Sequence, residues 1–204
     1  MILIAPIPAN MSGFSDEESI ELQSDAGNLS SWLNALLLRH PSAYGVFDSY
    51  LKTVIPDFES FENVPHGENG KQLIVKFEQK DLDRILPIDF KVLSDGEKCV
   101  FLSALIIASN NASGPVFCMW DEPDNHLSLS EIGQFMTKLR KMTNRSGQLI
   151  ATSHHPETIR SFSDESTFVF TRRSHLEPTV VRKLVDLQYS GDLIEALVRD
   201  EIIG

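Results

Sequence analysis

Three stretches hold residue types that could do chemistry together. In "VFCMWDEPDNHLS", residues 116–128, an apolar run ends in two adjacent carboxylates, Asp121 and Glu122, followed by Pro123 and a polar turn. A carboxylate at a strand end can hold Mg²⁺ through its water shell, because this ion takes hard oxygen ligands and keeps several waters. The carboxylate beside it can orient or deprotonate an attacking water. In "VLSDGEK", residues 92–98, Ser94 and Glu97 form the S-x-x-E pattern of a capped helix start, and Gly96 leaves room for close approach to the backbone. Such a helix N-terminus suits an anion such as phosphate. In "QLIATSHHPETI", residues 148–159, a second apolar strand ends in polar residues, and a histidine there can contact a terminal phosphate and the water attacking it.

Each stretch alone has a plainer reading. The first is also an acidic strand-to-loop turn, the second a well-capped helix, and His154 and His155 are also surface or helix-capping histidines. Two adjacent histidines without a Cys or a further His at ligand spacing do not make a zinc site.

The surrounding pattern supplies the elements that must position these residues. From Val92 onward, strands alternate with helices: a helix from Asp95 to about residue 108, a strand over 116–121, a helix from Leu129 to about residue 142 and a strand over 148–153. A short helix after Pro156, the strands "TFVFTR" and "TVVRKL" and a C-terminal helix from about Asp192 follow. This alternation predicts an α/β fold with a mostly parallel sheet flanked by helices. In such sheets ligands bind beyond the carboxyl ends of the strands, which puts Asp121, Glu122, Ser153 and His154 on one edge if their strands are parallel neighbours.

Upstream, "NLSSWLNALLLRHPSAYGVFDSYLKTVIPDFESF" holds two helical patterns divided by Pro41 and closed by Pro56, and "KQLIVKFEQ" alternates as a hairpin strand after the turn-rich "PHGENG". The expected organisation is a connection over 1–27 that begins with a short apolar strand-like piece and turns Ser- and acid-rich, a helical insertion with a hairpin over 28–91, and an α/β lobe over 92–204.

Composition narrows the function classes. The chain has 204 residues, 42% hydrophobic, enough for a real core, and a net charge of −11. A basic footprint for nucleic acid or anionic lipid is absent, so contact with nucleic acid is expected only indirectly. The two cysteines, Cys99 and Cys118, sit in apolar stretches and read as buried thiols. No run is long and apolar enough to span a bilayer, and a cytoplasmic location is expected.

In order and spacing, the three stretches resemble the C-terminal half of an ABC-type ATPase head of the P-loop NTPase class, closest to the RecF, SMC and OLD-like group of AAA-family ATP-binding proteins. "VLSDGEK" resembles the signature loop, "VFCMWDEP" the Walker B strand, "DNHLS" the D-loop and "TSHHPE" the switch-histidine loop. The resemblance reaches upstream through the helical insertion and hairpin, over about residues 20–172. It implies ATP and Mg²⁺ as cofactors, with Asp121 on Mg²⁺, Glu122 as catalytic base or water-positioning acid, and His154 sensing the γ-phosphate. Ser94, Asp95, Gly96 and Glu97 would form the loop that meets the ATP of an opposing protomer. Ser128 stands at a D-loop position often held by Asp or His, and its role there is weak.

The resemblance implies a homodimer of heads closing on ATP and driving an effector protein or domain that acts on DNA or RNA, of repair or phage-defence type. One motif is missing: the 204 residues contain no G-x-x-x-x-G-K-[ST]. "HGENGKQ" lacks the first glycine at the required spacing, has Gln72 where the Mg²⁺-binding hydroxyl should be, precedes a strand pattern instead of opening a helix, and reads as a hairpin turn. An N-terminal lobe carrying the P-loop is therefore expected outside these residues, and no measurable ATPase activity from the chain alone. Two other functions fit the same residues: a regulatory or dimerisation subunit whose P-loop comes from another polypeptide, and a metal-dependent phosphoesterase using Asp121, Glu122, His154 and His155.

Overall fold

A computed structural model describes residues 1–143, 147–162, 164–172, 174–188 and 193–198. The chain divides into two compact units, residues 1–153 and 154–204.

The first unit is built on two sheets. In the parallel sheet, β1 (Ile2–Ile4), β6 (Phe117–Trp120) and β7 (Gln148–Ala151) lie in the order β1-β6-β7, with Leu3 opposite Met119 and Met119 opposite Ile150. The antiparallel sheet holds β2 (Phe14–Ser15), β3 (Phe58–His66), β4 (Gly70–Gln79) and β5 (Arg84–Asp89), with β4 central. "PHGENG" closes the β3–β4 hairpin by pairing His66 with Gly70, so the GENGK string is turn chemistry. One unanticipated strand is β5, which carries Pro87; a residue without an N–H is tolerated there because β5 lies at the sheet edge.

Three helices form the core of this unit. α1 (Leu29–Arg39) and α2 (Ala43–Val54) fall where the two periodic patterns predict, broken at Pro41. α3 (Asp95–Ala112) is apolar almost all round, with residues 98–110 buried, and so runs through the interior instead of along the surface. Phe101 is its hub: its ring meets Phe47, Phe58 and Phe90 edge-on at 5.4–5.9 Å between centroids. Truncating such a fully buried ring costs ~3–5 kcal/mol. α4 (Leu129–Thr143) covers one face of the parallel sheet, with Phe135 edge-on to Trp120.

The strand-like opening of residues 1–27 is a strand: Ile2–Ile4 pairs parallel with β6, and Phe14–Ser15 pairs with β4. Ile4 is buried, and the buried Lys98 of α3 donates from Nζ to the Pro8 carbonyl at 3.1 Å. Of the apolar triplet, only Ile4 is buried by this pairing, and Leu3 stays exposed.

The second unit contains α5 (Pro156–Arg160), an antiparallel hairpin of β8 (Phe168–Thr171) and β9 (Val180–Lys183), and α6 (Leu193–Val198). The expected helix start at Asp192 lies outside the described residues.

Candidate functional site

The parallel pairing of β6 and β7 brings their carboxyl ends side by side. Asp121 and Glu122 follow β6, Thr152 and Ser153 follow β7, and two hydroxyls join the pairs. Thr152 Oγ1 donates to Asp121 Oδ1 and accepts the backbone N–H of Glu122 at 3.1 Å. Ser153 Oγ donates to Asp124 Oδ2, whose residue is buried. The turn after β6 is thus fastened to the end of β7 at two points.

Glu122 has φ +48°, a left-handed backbone that a non-glycine residue adopts at a cost of ~1–3 kcal/mol. The bond from its N–H to Thr152 holds it there. Strain of this kind persists where the surroundings over-determine the backbone, and at this point it turns the chain sharply between the two carboxylates.

The "LSDGE" loop lies against the same turn. Ser94 and Glu97 make the predicted capping box: Glu97 donates its N–H to Ser94 Oγ at 3.3 Å, and Glu97 Oε2 accepts from Ser94 N and Oγ at 2.8 and 2.7 Å. The Ser94 hydroxyl is therefore turned inward to Glu97. A Cβ added to Gly96 would come 2.7 Å from the His126 carbonyl oxygen, so only glycine lets the helix start pack on the "DNHLS" turn. Asp95 Oδ2 stands 3.8 Å from His126 Nδ1. Ser94, Asp95, Gly96 and Glu97 are thereby tied to the loop that begins with Asp121 and Glu122.

Ser128 stands just before α4. Its N–H and hydroxyl both donate to Glu131 Oε2 in the first turn of α4. These two bonds hold the Glu131 carboxyl below the usual carboxylate range. His154 opens the second unit, and the next residue, His155, caps α5 by accepting the Glu157 N–H on Nδ1 at 3.2 Å.

Asp121 and Thr152 present a carboxylate and a hydroxyl, hard oxygen donors of the kind that hold Mg²⁺ when waters and phosphate complete its shell. Among the described residues no group of three or more His, Cys, Asp or Glu could hold a metal ion. The residues that sequence reasoning passed over are Thr152, Asp124 and His126. The signal for Thr152 was present, a hydroxyl one step past an apolar strand, but its partners across the sheet are not visible along the chain. Among the described residues no helix is long and apolar enough to cross a membrane.

The fold has counterparts in known proteins. A structure described as "Structural biochemistry of ATP-driven dimerization and DNA stimulated activation of SMC ATPases" superposes with a TM-score of 0.56 at 15% identity, covering 82% of this chain and 95% of that one. The Smc head domain with a coiled coil and joint from Pyrococcus yayanosii gives 0.55 at 15% identity over 78% of this chain. The SmcHead bound to the C-winged helix domain of ScpA gives 0.57 at 15% identity over 76%. The chain spans only 30% and 46% of the length of these last two. None of the curated proteins matches the sequence. The family model described as "AAA domain, putative AbiEii toxin, Type IV TA system" matches residues 16–160, most of the chain. The chain belongs to this AAA-domain family and has the P-loop NTPase fold of an SMC-like ATPase lobe.

Proposed function

We propose that this chain is the half of an ATP-hydrolysing head that supplies the metal-holding and water-handling carboxylates, and that the phosphate cradle comes from a P-loop outside these 204 residues. The observation that carries this reading is the Thr152 hydroxyl, which joins Asp121 to the strained backbone of Glu122. One hydroxyl holds the two acids in a set relation, which a merely acidic turn does not require.

In this reading Asp121, steadied by Thr152, holds Mg²⁺, which when bound offsets phosphate charge. Glu122 orients the attacking water and takes its proton on the carboxylate. His154 contacts the terminal phosphate. Ser94, Asp95, Gly96 and Glu97 meet the ATP of a second head, and Ser94 must then release Glu97 to turn its hydroxyl outward. Positioning and charge stabilisation supply most of the catalysis, as is usual for phosphoryl transfer. Two heads close on ATP in the cytoplasm and switch an effector that acts on DNA or RNA.

The test uses the polypeptide encoded directly upstream of the Met1 codon in the source DNA, mixed with this chain. ATP turnover by the pair, abolished by Glu122→Gln while an ATP-dependent dimer accumulates in sedimentation, is the expected result. Turnover by this chain alone that Glu122→Gln removes would overturn the half-site reading. A pair that binds ATP but never hydrolyses it favours a regulatory subunit.

A further inference from the structure

A groove of about 340 Å³ lies beside the start of α3, between the paired strands β4 and β5 and the turn Phe90–Val92. Its floor is apolar. Phe77 on β4 and Leu86 on β5 stand directly opposite each other and so share one side of the sheet, and Val92 adds a third apolar side chain. Phe77 is buried, while Leu86 and Val92 are 40% and 64% exposed.

The rim is acidic. Asp57, Glu78 and Glu97 line the groove, and the Asp57 carbonyl accepts the Glu78 N–H at 2.8 Å, which places those two residues together. No lysine or arginine is among the lining residues. Arg84 donates from Nε to Gln79 Oε1 at 2.8 Å, and Lys91 Nζ stands 3.6 Å from Asp89 Oδ2. Glu97 joins the groove to the candidate site, because its Oε2 accepts from Ser94 N and Oγ.

We propose that this groove seats a basic amphipathic segment of a partner protein, and that a lysine or arginine of the segment engages Glu97 and loosens its hold on the Ser94 hydroxyl. The effect on ATP turnover rests on the half-site reading, in which Ser94 must turn outward. Charge decides the occupant. Apolar side chains of the segment cover Phe77, Leu86 and Val92, and its cations meet three carboxylates that an apolar or acidic occupant would strip of water without compensation. The same rim repels nucleic acid and anionic lipid. A second copy fits less well, because each chain carries a net charge of −11. A cation on Glu97 draws carboxylate charge away from both Ser94 bonds and so weakens the capping box.

The experiment selects displayed random peptides on the intact chain, then measures the affinity of synthetic copies of the enriched sequences. Expected are peptides that combine apolar residues with lysine or arginine. Their affinity should fall at least about tenfold with Asp57→Lys and Glu78→Lys together, and likewise with Val92→Asp. Leu38→Lys, at an exposed site on α1, should bind like the parent chain. All four substituted side chains are exposed, so the variants should keep the circular dichroism spectrum and melting temperature of the parent. Bound peptide should also quicken hydrogen exchange at the Ser94 amide, which a segment resting only on the floor does not do. Enriched peptides without cations, peptides that bind the groove variants as well as the parent, or no enrichment at all would overturn the docking surface. Groove binding that leaves Ser94 exchange unchanged overturns the link through Glu97. Displacement of the peptide by the polypeptide encoded directly upstream of Met1 would assign the groove to that lobe and overturn the partner. None of these readouts uses ATP, so their failure leaves the half-site reading standing, and loss of that reading in the turnover measurement leaves the groove.

Discussion

The His126 carbonyl oxygen occupies the space that a side chain on Gly96 would need: a Cβ there would lie 2.7 Å from it. The start of α3 and the turn after β6 are therefore in backbone contact, and neither can move without the other. Two stretches separated in sequence act as one structural piece at the candidate site.

Gly96→Ala should push the "DNHLS" turn away from α3 and destabilise the chain by ~1–3 kcal/mol, the usual cost of forced overpacking. Gly45→Ala is the matched control: Gly45 lies within α2 and a Cβ there meets nothing within 4 Å. It should stabilise by ~0.5–1 kcal/mol. Urea unfolding of the two variants reads the difference in sign, and amide chemical shifts over residues 121–128 should move only for Gly96→Ala.

Thr152→Val keeps the shape of the side chain but removes the hydroxyl that serves Asp121 and Glu122. A loss of ~1 kcal/mol is expected, because the site is exposed and water replaces part of the bonding. Hydrogen exchange at the Glu122 amide should quicken, and Thr152→Ser should restore protection. Unchanged exchange in the valine variant would mean that Thr152 does not hold the Glu122 backbone.

Glu122→Gly should stabilise the isolated chain, since glycine adopts φ +48° without the steric cost that Glu122 bears. A gain of ~1 kcal/mol in urea unfolding is expected. In the reconstituted head the same variant should lose ATP turnover, so stability and function would move in opposite directions at one residue.

Burial pushes the thiols of Cys99 and Cys118 up to about 12, from an ordinary value near 9.0. Burial likewise pushes the Tyr50 hydroxyl up to about 12 from 10.0. All three groups are neutral when protonated, and unfolding lets them ionise earlier. Stability from this source is complete below about pH 9 and falls as pH rises toward 12, because the unfolded chain releases protons first. Urea midpoints between pH 8 and 11 should decline, and a chromogenic disulfide reagent should find no reactive thiol in the folded chain at pH 8 but two in denaturant.

Much of the site was legible in the sequence because its signals are local. The capping box of Ser94 and Glu97 is a spacing of three along one chain, and the apolar run into Asp121 and Glu122 is a strand end whatever lies beside it. The P-loop look-alike "GENGK" could likewise be read as a turn from the missing first glycine, Gln72 and the strand pattern that follows. The strand β5 was not legible, because Pro87 argues against a strand until the sheet edge is known.

By itself, then, the sequence determined the family, the strand–helix alternation and the place of two carboxylates at a strand end, all of which depend on residue type and spacing. Only the tertiary structure decided that Ile2–Ile4 joins the sheet beside β6, that Thr152 holds Asp121 and Glu122, and that Gly96 yields space to His126. These are contacts between residues far apart in the chain. They form because burying β1, α3 and α4 together fixes which strand ends become neighbours, and no local preference encodes that choice.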